Sequence, residues 1–492
     1  MHCETPESHY DVLIVGAGMA GCAAAQALAL ADPAGTRRIG LIDRHRGVCP
    51  RFAGEFIHPR GAQVLENLGF LPALLDAGAV EVDGFTVLER VGGRYVELPY
   101  TLLPGHSRAK GLAVHHKTLV RQMRHVVAQQ PRVQLCEGWV IDEILRDGGR
   151  VVGAVLSQGS KRVHVHADLV LGADGKSSTT RRLADIPEQR SQVGFTVGLE
   201  ILDARVPGTC FGNVVLGAWG PILIYPIERL ADGSVRYRMT LDLPPALPAK
   251  GARLVDFLLT TFVPFLPAPL AAQTAAALRE VTRQGGKLPI APTVSLSTPH
   301  AIVPGLALVG DAAGCSHPIT ASGMTMGLRD AEVLGNLAKQ AGQERAVNPW
   351  LGDTVLRGYA NHHDRYVPTR QALAEAIYQV FRGGDEGARA IQKALFAYWL
   401  DSPRARARSM ALLACAEGRP HIFISEYLRA ARHAVNVCIQ PRYARNLPVA
   451  DRLRQARGAA QIASGKLGQV AQVVWANVRP RWLPRSGSSS LR

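Results

Sequence analysis

The 492-residue sequence lacks several signatures that would place it quickly. Its eight cysteines (Cys3, Cys22, Cys49, Cys136, Cys210, Cys315, Cys415, Cys438) include no Cys-x-x-Cys pair. Their spacing therefore signals neither a zinc site nor a disulfide framework, and reduced thiols are expected. No apolar run reaches the about 20 residues that cross a bilayer as a helix. The opening MHCETPESHY has no apolar stretch of a secretion signal, so a cytoplasmic protein is expected. No metal-ligand cluster and no Ser-His-Asp constellation stands out, which turns attention from hydrolysis to cofactor chemistry. Acid is the scarcer charge, with 40 Asp/Glu against 56 Lys/Arg and a net +16. Residues 401–492 alone carry 16 Lys/Arg against 4 Asp/Glu, so most of the excess sits there. That basic tail has no aromatic stacking array and no reader motif, which sets nucleic acid aside as a partner.

What is present is globular: 47% hydrophobic and 20% charged residues, in a chain long enough for two or three domains and a large buried cofactor. YDVLIVGAGMAGCAAAQALAL reads as a buried strand to Val15, a glycine turn and an alanine-rich helix from about Met19. Gly16, Gly18 and Gly21 have the dinucleotide spacing: a tight turn, close approach of a pyrophosphate, and close packing of helix on strand. Free N–H groups at the helix start then face the phosphates. A second strand, RIGLIDR, ends at Asp43, 22 residues past Gly21 and placed for a ribose hydroxyl. Pro59 opens a helix that Gly69 closes, and an Asp-Gly-Gly turn at 147–149 belongs to a small meander feeding the strand ADLVLGADG. Residues 190–300 alternate as strands before the helical LVDFLLTTFVPFL, and the pattern after Leu334 is helical, including GQVAQVVWANV at 468–478.

The densest run of small residues is GDAAGCSHPITASGMTMGLRDAEVL, 310–334. It follows the strand GLALV, so Asp311 would face the ribityl or pyrophosphate part of a flavin. Amides near Met324, at a helix starting near Gly323, would stabilise charge on a reduced flavin ring. With GADGKSS at 172–178, centred on Asp174, these motifs resemble the FAD-dependent aromatic hydroxylase superfamily. The chain is similar, more narrowly, to squalene monooxygenases (squalene epoxidases). The likeness lies in DRHRGVCPRFAGEFIHPRGAQVLENLG, GLAVHHKTLVRQMR, GPILIYPI and the GD…HP.T..GMT run, and extends to about residue 480.

That resemblance implies an α/β fold: a Rossmann-like FAD-binding domain of aromatic-hydroxylase (GR2) type, an inserted mixed β-sheet substrate domain and a C-terminal helical region. The expected division is 1–85, 110–189 and 301–345 for FAD, 86–109 and 190–300 for substrate, a membrane-associated helical region at 346–480 and a tail at 481–492. It further implies that Asp43 and Arg44 hold the adenosine end, Arg51 and Phe56 line FAD, Arg124 and Val140 contact it further along, and Gly310, Asp311, Gly323 and Met324 grip the flavin half. Arg51 and Arg124 are residue types suited to phosphate. Pro221–Ile227 and LPIAPTV (288–294) are the expected walls of a dry substrate site.

The implied reaction is epoxidation of a C=C of squalene or a similar apolar isoprenoid, with O2 as cosubstrate and a flavin hydroperoxide as the oxygen donor. NADPH, directly or through a partner reductase, supplies electrons. The basic tail is expected to hold the protein peripherally on a membrane. The sequence departs from the family at Gly314-Cys315-Ser316, at Ala321-Ser322, and at His58 and Phe85, which stand where the family has a Gln and Tyr pair near the flavin. Three alternatives stay open on the residues: oxygenation of a prenylated aromatic or polyketide-type substrate, geranylgeranyl-reductase-like reduction of prenyl double bonds, which GDAAG suits, and a flavin-binding docking protein.

Overall fold

A computed structural model describes residues 4–49, 52, 54–88, 94–103, 108–216, 220–343, 350–383, 386–439, 448–461 and 464. The predicted helix at 468–478 lies outside them. The apolar run YDVLIV becomes the strand His9–Val15, paired in parallel with Ile39–Asp43 on one side and Lys161–Gly172 on the other. Val133–Glu137 and Leu306–Leu308 extend this parallel core outward. The meander Val140–Asp147, Arg150–Gln158 and Lys161–Gly172 turns at 148–149, where both glycines have positive φ. The parallel strands His9–Val15, Ile39–Asp43 and Leu306–Leu308 are buried on both faces, as their apolar sequences require.

The helix Met19–Ala31 crosses this sheet and lies against the helix Gly323–Gln343. Small residues let the two approach closely: a Cβ on Gly335 would stand 2.9 Å from Ala27 Cβ, and one on Gly327 only 3.4 Å from Ala20 Cβ. The crowding of glycine and alanine in both segments is thus partly a packing requirement.

A second, mixed sheet runs Gly314–Cys315, Ile290–Ser297, Gln189–Leu202, Val235–Leu243, Pro221–Arg229, Phe211–Leu216, Gly84–Leu88 and Tyr95–Pro99. Its pairs are antiparallel except Phe211–Leu216 with Gly84–Leu88. Pro221–Arg229 is buried on both faces. Ile222 and Ile224 pack towards the helices Ala252–Thr261 and Ala268–Arg283, whereas Tyr225 and Ile227 join an aromatic cluster on the opposite face. Leu306–Leu308 belongs to the first sheet and Gly314–Cys315 to the second, so the run 306–315 stitches the two together.

The helices Asp353–Arg382, Glu386–Asp401, Pro403–Leu413 and Pro420–Ile439 follow, and residues 449–461 are also helical. Phe381, Phe396 and Trp399 from them close the aromatic cluster from outside. Among the described residues Cys22, Cys210, Cys315, Cys415 and Cys438 are free thiols, but Cys136 is disulfide-bonded. The expectation of reduced thiols throughout fails there, because isolated cysteines carry no spacing signal from which a pairing can be read.

Candidate active site

The glycine turn has the geometry its spacing demands. Gly16 has φ +107°, and a Cβ on Gly21 would fall 1.8 Å from the Gly16 carbonyl oxygen. At Gly18 a Cβ would meet nothing within 4 Å, so the turn opens outward there. The helix that follows has no side-chain cap and no acid in its first turn, which leaves its first amides as donors for an anion. Asp43 lies beneath the turn. Its Oδ2 accepts the Ala17 N–H at 2.9 Å and its Oδ1 accepts that of His45 at 2.9 Å.

Arg124, expected to contact FAD, is 8% exposed and is held by three protein partners. Its guanidinium pairs with Asp43 at 2.8 Å and Glu137 at 2.6 Å and donates to the Ala17 carbonyl at 2.8 Å. It thereby ties the glycine turn to the ends of two strands. Arg44 is exposed and donates to His45, and Val140 is 42% exposed at a strand start. Arg51 lies outside the described residues.

Asp174 is likewise committed. It accepts from the Ser178 hydroxyl, from the Thr180 N–H at 2.9 Å and from the Thr180 hydroxyl at 3.0 Å, so it fixes the start of the short helix Thr179–Leu183. That helix aims the buried Arg181 at the Ala312 carbonyl, 2.7 Å away. Asp174 thereby supports the 310–313 turn without touching it, a role no spacing rule indicates.

At that turn Gly310 has φ +59° and Asp311 is exposed, with its Oδ1 3.7 Å from where a Cβ on Gly323 would stand. The Met324 side chain lies over Gly54, 3.5 Å from where a Cβ there would be. Gly16, Gly18, Gly310, Asp311, Gly323 and Met324 therefore lie along the contact of the Met19–Ala31 and Gly323–Gln343 helices. An open glycine turn, uncapped amides and an exposed carboxylate fit FAD.

Beside this track, Phe56, His58, Phe85, Tyr100 and Tyr225 form one cluster. Ring centroids are 5.0 Å apart for Phe56 and Phe85, 5.7 Å for His58 and Phe85, and 5.7 Å for Phe56 and Tyr225. His58 is fully buried; its Nδ1 is 2.9 Å from the Tyr100 hydroxyl and its Nε2 is 2.7 Å from the Thr320 carbonyl oxygen. Burial pushes its pKa down to about 4, so the ring is neutral near pH 7. Since a carbonyl only accepts, Nε2–H donates to Thr320 and Nδ1 accepts from Tyr100. Phe85 carries no hydroxyl, but Tyr100, its ring centroid 6.3 Å from that of Phe85, supplies one. Neither Tyr100 nor Arg181 was visible in the sequence, because nothing local links position 58 to 100 or 181 to 312.

The segment 54–58 is anchored by a bidentate pair, Arg238 Nε to Glu55 Oε2 at 2.7 Å and Nη2 to Oε1 at 2.9 Å, both residues buried. Of the expected substrate walls, Tyr225 and Ile227 face the cluster. In 288–294, Leu288 packs with the opposite face of the sheet and Ile290 is 40% exposed. A pocket of about 390 Å³ lined by Asp203, Arg205, Arg229 and Tyr237, among others, shares no residue with either group.

Comparison with known proteins agrees with this architecture. A FAD binding domain profile matches residues 9–213, and the squalene epoxidase profile matches residues 166–450. Squalene epoxidase 1 of Arabidopsis thaliana is 28% identical over 440 residues, covering 88% of this chain and 78% of its own length. Squalene monooxygenase of Mus musculus is 26% identical over 438 residues, covering 87% and 72%. Among solved structures, p-nitrophenol 4-monooxygenase PnpA of Pseudomonas putida superimposes with a TM-score of 0.68 at 19% identity, covering 83% of this chain and 99% of its own. Pseudomonas aeruginosa PqsL in complex with 2-aminobenzoylacetate gives 0.61 at 21%, covering 80% and 100%. The fold is that of FAD-dependent monooxygenases, and the chain belongs to the squalene epoxidase family.

Proposed function

We propose that this FAD-dependent monooxygenase epoxidises a C=C of squalene. The observation that carries the reading is the juxtaposition of the aromatic cluster with the start of the Gly323–Gln343 helix. The His58 ring bonds to the Thr320 carbonyl, three residues before that helix, and the His58 backbone N–H donates to the Thr325 hydroxyl at 3.1 Å. A hydrocarbon offers no polar handle, so apolar contact alone must bind it, and this cluster is where the chain concentrates aromatic surface beside the flavin track.

FAD, when bound and reduced, supplies the activation of O2 from which one oxygen atom passes to the double bond. The protein supplies the rest. Gly16, Gly18 and Gly21 with the first amides of the Met19–Ala31 helix would hold the pyrophosphate, and Asp43 the ribose. Asp311 would meet the ribityl side, and Gly323 and Met324 the ring. Phe56, Phe85, Tyr225 and Ile227 keep water from the reacting bond. Neutral His58 holds the Thr320 carbonyl at a fixed place without bringing a charge into an apolar site. The electron donor is a partner reductase using NADPH.

Among the described residues no helix is long and apolar enough to cross a membrane. We assign the C-terminal helices a peripheral contact instead. Leu428, Ile439, Val449 and Leu453 are 46–68% exposed in a region rich in arginine, the composition of an interfacial surface. Co-sedimentation with anionic but not neutral vesicles tests this.

The reaction is tested by incubating the protein with FAD, NADPH, a reductase and squalene under ¹⁸O2. Squalene carrying one ¹⁸O atom is expected by mass spectrometry. Turnover of a prenyl substrate under strict anaerobiosis would overturn the assignment.

A further inference from the structure

A second buried polar network lies behind the 310–313 turn and has no part in the chemistry above. Asp330, on the Gly323–Gln343 helix and 8% exposed, accepts the Gly310 N–H through Oδ2 at 2.8 Å. Its Oδ1 is 2.9 Å from Nδ1 of His363, which lies on the Asp353–Arg382 helix and is 6% exposed. One helical turn before His363, Tyr359 donates its hydroxyl to the Leu308 carbonyl at 2.6 Å, and its oxygen is 3.5 Å from His363 Nδ1.

Three side chains from two helices thus hold the groups that flank Val309, where the strand ends and the turn carrying Asp311 begins. Gly310 has the left-handed φ of +59° and is packed against Ala20, 3.0 Å from where its Cβ would be. Its amide needs an acceptor from outside the sheet, and Asp330 provides it. A buried carboxylate needs a donor in turn, and His363 faces it. Burial works against a charged imidazole at His363, but Asp330 and then Asp364 outweigh it and hold the ring above its ordinary range.

We propose that Asp330 and His363 are positioning residues for the flavin: together they fix the Gly310 amide and so the direction of the Asp311 carboxylate. FAD affinity therefore depends on a histidine of the C-terminal helical region buried behind the loop. This rests on the reading that Asp311 meets FAD.

The test uses full-length deflavinated protein with His363→Leu, His363→Asn and Asp330→Asn. The FAD dissociation constant is measured by quenching of flavin fluorescence, and hydrogen exchange of the 306–315 segment is followed in the apoprotein. His363→Leu is expected to weaken FAD binding about tenfold, the scale of one charge-assisted hydrogen bond, and to speed exchange at Gly310. Asn places an amide nitrogen where Nδ1 stands and is expected to restore both. Asp330→Asn with His363→Leu is expected to be no weaker than Asp330→Asn alone. Unchanged affinity and exchange in His363→Leu overturn the proposal. So does a uniform rise in exchange across the whole core, which marks general destabilisation. Failure of the unsubstituted protein to bind FAD refutes the flavin reading instead, while Gly310 exchange still reports on the pair.

Discussion

Acidification provides a direct probe of His58. Its folded pKa is lowered by burial from 6.5 to about 4, so the unfolded chain takes up the proton first as pH falls. Stability contributed by this group is complete above about pH 6.5 and is lost progressively down to about pH 4. Between pH 7.5 and 5 the linkage amounts to about 2 kcal/mol. His363 has the opposite sign: its pKa is raised, so its contribution is present at low pH and is lost as pH rises through the folded value. Other groups add their own slopes, and the comparison must therefore be differential. In His58→Gln the amide nitrogen can donate to Thr320 and the amide oxygen can accept from Tyr100, keeping both partners without the titration. Urea unfolding of the apoprotein, followed by tryptophan fluorescence at pH 7.5 and 5, should show the substituted protein losing about 2 kcal/mol less than the original. Equal losses, within about 0.5 kcal/mol, would refute the assignment of a buried neutral histidine.

Three further substitutions read other parts of the site. Gly21→Ala drives a methyl group into the Gly16 carbonyl and should yield protein without flavin, seen as loss of absorbance near 450 nm relative to 280 nm. Ala321 has φ +49°, a left-handed conformation that costs a residue with a Cβ about 1 kcal/mol, so Ala321→Gly should leave stability equal or raise it by up to that amount in urea. Glu55→Gln leaves Arg238 buried with Glu200 as its remaining carboxylate, at 3.0 Å, and should cost about 3 kcal/mol in the same assay. A cost below about 0.5 kcal/mol would mean that the segment 54–58 is anchored some other way.

The dinucleotide strand, turn and helix were legible because their signal is local: glycine spacing, an apolar run and an acid at a set distance. The helix at Gly323 and the strand before Asp311 were legible for the same reason. The sequence also supported the family assignment, through motifs at separated places. Less legible were side chains whose partners lie far along the chain. Arg124 reads as a phosphate ligand because arginine suits phosphate, and only the fold shows that two carboxylates from different strands also pair with it. Asp174 reads as a cofactor residue, and only the fold shows that it also holds the start of a five-residue helix. Phe85 looked like the loss of a hydroxyl, and only the fold brings Tyr100 beside it. Pairings of this kind depend on tertiary packing, which periodicity and motif spacing do not encode.

The ten residues 306–315 begin in one sheet and end in the other. A recombinant hybrid that exchanged the second sheet for that of a relative would have to cut inside this stretch. A junction placed after Leu308 imports a foreign turn onto the native Asp330, whereas one placed just before Gly314 keeps the turn with Asp330 and passes Gly314-Cys315, which pair with Ser297 and Leu296, to the incoming sheet. The productive crossover for domain shuffling therefore lies between Ala313 and Gly314, and the turn must travel with the strand, helix and histidine that brace it.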